Sequence, residues 1–151
     1  MPGLIIDFTN LLLAGLLAGA ISGAFLFMSP AGLDATTYVI AQQNGIRGLN
    51  TIMPVLGGLT LVMTLAAAYA ASVDPLRMNL LLAAAAALII TGLVTRFLNQ
   101  PINVTVMTWD ASSPPAEWTM LRDAWWRWHL VRLVLSLAAF SLVIVAALRR
   151  G

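Results

Sequence analysis

"NLLLAAAAALIITGLVTRFL", Asn79 to Leu98, runs for twenty residues with a single charge, Arg96, close to its end. About 20 consecutive apolar residues are what an α-helix needs to cross the hydrocarbon core of a bilayer. No lipid-exposed loop or open strand can satisfy its amides there, so the run reads as a membrane-spanning helix. Working outward, three further runs have the same character: Leu4 to Met28, Ile52 to Val73 and His129 to Leu148. The chain therefore reads as all-α, an integral membrane four-helix bundle, with residues 1–151 as a single membrane domain and crossings at about 4–28, 52–73, 79–98 and 129–148. Four crossings return both termini to one side.

Composition points the same way. The chain is 60% hydrophobic and only 9% charged, with a mean hydropathy of +0.90, far from the globular average. It is expected to be a multi-pass protein of the cell membrane with the lipid bilayer as its first partner. The net charge of +2 comes from eight scattered arginines and six carboxylates. A nucleic-acid partner is not expected, because that requires a clustered basic surface. There is no cysteine, and one histidine with scattered carboxylates offers no metal-ligand pair, so no metal site is predicted. The small-residue run after "LLAGLLAGA" does not read as a signal peptide. Asp7 stands where a basic n-region belongs, and the apolar run continues through Phe27.

The connections differ in length. "SVDPLR" is a tight turn that makes the second and third helices antiparallel neighbours. The first and third connections are long and lie on one side of the bundle. In the first, Asn50 is expected to cap the second crossing, with Pro54 inside its first turn. In the third, the "SSPP" turn at Ser112 to Pro115 precedes a pre-helix, residues 117–128, that can run straight into the fourth crossing. From Glu117 to Arg150 such a helix would be about 50 Å long and would project beyond the hydrocarbon. The arginines are nearly balanced between the two sides, with a lean toward cytoplasmic termini. Gly15, Gly19 and Gly23 in the first helix are read as a packing groove, with Gly57 and Gly58 of the second as its partner surface.

The rare polar chemistry is concentrated late in the chain. In "EWTMLRDAWWRWHLVRL", Glu117 to Leu133, helical spacing puts Trp118, Arg122, Trp125, His129, Arg132 and then Ser136 on one face. An interfacial belt accounts for Trp126, Arg127 and Trp128. It does not account for His129 and Arg132, which lie inside the apolar run, where ionisable groups face a bundle interior or a wet cavity. The third helix ends in "TRFLNQPIN", where Pro101 is expected to kink or stop it. Asn99 and Asn103 there can bond the freed carbonyls or hold a ligand.

With "FLNQPIN", a tryptophan-bearing loop and "WWRWHLVR" in place, the chain resembles the anthrone oxygenase-like family of small four-helix membrane proteins. Asn99, Pro101, Asn103, Trp125, His129 and Arg132 carry the match, with Asn50 and Pro54 before the second helix. The resemblance implies oxidation of an anthrone- or quinone-like aromatic molecule by molecular oxygen, with no metal or other cofactor. On that reading His129 is the general base and Arg132 stabilises the developing enolate, making these two the catalytic pair. Asn99, Asn103, Trp109, Trp118, Arg122 and Trp125 are the substrate-binding candidates, the tryptophans stacking on a flat small aromatic ligand. Two other readings stand beside it. One is a quinone-binding or single-histidine haem-binding membrane protein, and the other an accessory subunit held by membrane-protein partners.

Overall fold

The computed structural model describes residues 2–149, so Arg150 lies outside the described residues. The helices are α1 (Pro2–Phe27), α2 (Ala35–Leu49), α3 (Ile52–Ala70), α4 (Pro75–Val94), α5 (Gln100–Val106) and α6 (Trp118–Leu148). A π-helical turn, Thr95–Asn99, joins α4 to α5. Four stretches are long and apolar enough to cross a membrane: Gly3–Phe27, Ile52–Ala70, Pro75–Val106 and Trp118–Leu148. The chain is an all-helical membrane bundle.

The main packing pairs are α1 with α3, α3 with α4, α4 with α6 and α6 with α1, which closes the four crossings into a ring. Small residues fill its centre: Ala14, Ala67, Ala84, Ala139 and Ala146 are all at most 3% exposed. Without a hydrophobic driving force between helices in lipid, such residues let the backbones approach and gain dispersion contact. Large side chains such as Leu16, Val62, Ile89 and Val134 point outward, where the solvent is hydrocarbon.

Three local expectations need correcting. The long first connection carries a helix, α2, which Asp34 caps by accepting from the Thr37 backbone N–H at 3.0 Å and its hydroxyl at 2.8 Å. Those bonds, the backbone one first, hold the Asp34 carboxyl below its usual range. Tyr38, Val39, Gln42 and Ile46 then form the buried face of α2, which rests on α5. Asn50 ends α2 instead of capping α3, whose N-cap is Thr51, and its Oδ1 accepts from Gln100 Nε2 at 2.6 Å.

Pro101 neither stops nor breaks the helix. The turn before it widens, so that the Gln100 backbone N–H reaches the Thr95 carbonyl five residues back. Such wide turns occur mostly as single insertions within α-helices, frequently at functional sites. The glycine surface also differs from the expectation. A Cβ on Gly15 would press the Phe140 ring at 3.3 Å, whereas Gly19, Gly23, Gly57 and Gly58 meet nothing within 4 Å. The pre-helix, in contrast, does run into the fourth crossing, and α6 is one helix of 31 residues, about 46 Å long.

Candidate functional site

The polar face of α6 divides at Trp125. Trp125, His129 and Ser136 are buried, and His129 is fully inaccessible. Two turns further out, Trp118 packs against Tyr38 of α2, and the Arg122 guanidinium lies 4.8 Å above the Trp118 ring. Arg122 also pairs with Asp123 at 2.8 Å. Trp118 and Arg122 thus occupy the outer cap of the bundle and line neither cavity described below. The same holds for Trp109, whose backbone carbonyl accepts from Gln43 Nε2 at 2.9 Å.

Around His129 the sequence-selected residues converge. Its imidazole lies parallel to Trp125 with ring centroids 5.3 Å apart, and Trp126 covers it at 5.4 Å. Phe25 of α1 stacks in turn on Trp126. Trp125 is held from the wide-turn helix at two points: its indole donates to Asn103 Oδ1 at 2.8 Å, and its backbone carbonyl accepts from Asn99 Nδ2 at 3.1 Å. Asn99 therefore braces the site without lining a cavity.

Arg132 Nη2 lies 2.9 Å from His129 Nδ1, and Nη1 donates to Thr95 Oγ1 at 3.3 Å. A guanidinium has donors only. The His129 Nδ1 must therefore accept, which puts the proton of the neutral ring on Nε2. Among the described residues no acceptor meets that Nε2 in full hydrogen-bonding geometry, although the Ile21 backbone interacts with the ring. Arg132 has no carboxylate partner among the described residues.

Two cavities meet at Arg132. A small chamber of about 70 Å³, walled by α1, α2, α6 and the wide turn, includes Gln42, Asn103, Trp125 and His129. A larger cavity of about 410 Å³ lies between α1, α3 and α4 and is lined mostly by apolar residues, with Thr95, Arg96, Gln100 and Arg132 at its polar end. Only the larger falls in the range of roughly 300–1,000 Å³ typical of sites for small organic molecules. A porphyrin does not fit the small chamber that His129 lines. No group of three or more metal-ligating side chains occurs among the described residues.

Sequence reasoning missed Gln42, Thr95, Gln100 and Gly92, and it read Gly57 and Gly58, which line the larger cavity, as a packing surface. The signal for Gln42 was present in the spacing of Tyr38, Val39, Gln42 and Ile46. For the glycines it was not, because a cavity is made by missing side chains.

The model of the anthrone oxygenase family matches residues 46–142, well over half of the 151. The chain belongs to the anthrone oxygenase family. The matched segment contains Asn99, Asn103, Trp125, His129 and Arg132, together with most of the larger cavity, whereas α1 and Gln42 lie outside it. No curated protein and no solved structure matches the chain.

Proposed function

We propose that this protein oxidises a lipid-soluble anthrone-type aromatic ketone with molecular oxygen in the cell membrane. The observation that carries the reading is an apolar cavity of ring-system size with the Arg132 guanidinium at its polar end, hydrogen-bonded to the fully buried His129 behind it. The flat substrate occupies the larger cavity with its carbonyl oxygen toward Arg132. As the carbon between the rings loses its proton, charge moves to that oxygen, and donors fixed in a water-poor site stabilise it.

The proton goes to His129. Its basic lone pair is on Nδ1, where it accepts from Arg132, so the imidazole becomes a base, and meets the larger cavity, only when Arg132 turns its Nη2 from Nδ1 to the substrate oxygen. Substrate binding thereby unmasks the base. The carbanion reacts with dioxygen to a carbon-bound peroxide, which takes the proton back and loses water to leave the second carbonyl. The balance is one anthrone and one dioxygen to one anthraquinone and one water. Trp125 and Trp126 hold the imidazole plane, and Asn99 and Asn103 hold Trp125.

The test uses the purified protein in lipid nanodiscs with anthrone and ¹⁸O-labelled dioxygen. One labelled oxygen per anthraquinone, and loss of turnover in a stably folded His129→Ala variant, are the expected results. Wild-type turnover in His129→Ala removes the imidazole from the reaction, and no turnover by the wild type with any anthrone removes the function.

A further inference from the structure

The larger cavity carries two cations and no counter-charge. Arg96 and Arg132 both line it, and no aspartate or glutamate does. Arg132 is half-buried and already held by His129 and Thr95. Arg96, the next residue after Thr95, is exposed, and no ion pair or hydrogen bond engages its guanidinium among the described residues.

The position of Arg96 matters as much as its charge. From Pro75, where the third crossing starts, it lies about 30 Å along the helix, which is the thickness of the hydrocarbon core. Its guanidinium therefore stands at the headgroup level. The cavity reaches the surface there: Gly92 and Leu93, one turn before Arg96, are exposed and line it, as do Pro54 and Gly58 of α3. The opening lies between α3 and α4, on the side that faces lipid.

From this we infer that the aromatic substrate is an acid, a ring system bearing a carboxylate, which enters from the bilayer between α3 and α4 and is held by Arg96 at the rim. An aromatic acid in a membrane keeps its rings in the hydrocarbon and its charge at the interface, which is the arrangement that this apolar cavity and its rim offer. A guanidinium meets a carboxylate with two parallel donors, and the absence of any acidic lining residue disfavours a cationic ligand. Arg96 is then a specificity-determining residue, separate from Arg132, which faces the ketone. This deepens the proposed function and rests on it for the reaction, but the binding preference needs no turnover.

Anthraquinone-2-carboxylate and neutral 2-methylanthraquinone are the probes. Their binding to purified protein in phosphatidylcholine nanodiscs is read by equilibrium dialysis, with uptake by empty nanodiscs subtracted. Arg96→Gln should weaken carboxylate binding at least tenfold and binding of the methyl compound less than twofold. Arg96→Lys keeps the charge and should recover most of the loss. Arg149→Gln, which removes an equal charge at the far end of α6, should change neither. Exposed arginines at a membrane edge commonly snorkel to lipid phosphates. If that is all Arg96 does, carboxylate affinity is the same in Arg96→Gln, and the inference falls. An equal fall for both probes, or for the carboxylate in Arg149→Gln, overturns it too. Carboxylate selectivity that depends on Arg96, in a protein that oxidises no anthrone, keeps the acid site and sinks the oxidase reading. Turnover of anthrones without that selectivity does the reverse.

Discussion

The indole nitrogen of Trp125 donates to Asn103 Oδ1 across 2.8 Å, so the ring that lies parallel to His129 on α6 is oriented from α5. Asn103→Leu leaves that N–H without its acceptor, which should cost about 1–2 kcal/mol in detergent-solubilised thermal unfolding and lower turnover by freeing the imidazole plane. Asn103→Asp keeps the acceptor and is expected to retain the tryptophan emission of the wild type, which the leucine variant shifts.

Arg132 serves two neighbours at once, His129 and Thr95. That takes a planar fork, which a lysine ammonium lacks. Arg132→Lys should therefore insert and elute as wild type but form anthraquinone about 10²-fold more slowly, the scale of losing one preorganised donor at a developing oxyanion. Initial rates read the effect. A lysine variant with wild-type rate would show that charge alone suffices.

Gly92 lines the larger cavity, and a Cβ there meets no protein atom within 4 Å. Gly92→Leu is expected to raise the KM for anthrone at least tenfold while the melting temperature holds or rises, since glycine in a helix interior costs about 1 kcal/mol against better helix formers. An unchanged KM would place the aromatic substrate elsewhere.

Tyr38 sits in α2, outside the crossings, 3% exposed and with no protein partner for its hydroxyl. Burial pushes its pKa up to about 12, against an ordinary value of about 10. The folded state thus holds this proton more tightly than the unfolded chain. Its contribution to stability is complete below about pH 10 and is lost as the pH rises toward 12, by about 1.4 kcal/mol per unit of separation. Tyr38→Phe should remove that alkaline loss without harming stability at neutral pH, as thermal melts across pH 8 to 12 would report.

The four crossings were legible because a bilayer demands long apolar helices and little else resembles them. The buried face of α6 was legible too, since Trp125, His129 and Arg132 keep helical spacing. What sequence reading lost was mostly made by relations between helices. Trp118 and Arg122 share the α6 spacing but end on the outer cap, because α2 brings Tyr38 over them. Helix α2 itself was hidden by its polar residues, although Asp34 and the Tyr38–Ile46 pattern announce it. Pro101 reads as a kink or a stop by local rules, and the wide turn directly before it is where the helix continues past it.

That wide turn also carries a consequence for the register of the whole polar end. A π turn amounts to one extra residue in an α-helix, and taking one away rotates everything beyond it by about 100° around the axis. Excising a single residue between Thr95 and Asn99 would leave the four crossings intact. It would swing Asn103 away from the Trp125 indole and Gln100 away from Asn50 in the same movement. The insertion works as a hinge of sequence: it phases the outer third of a 32-residue helix against its inner two thirds, so the polar end of the bundle is set by a residue count as much as by residue identity.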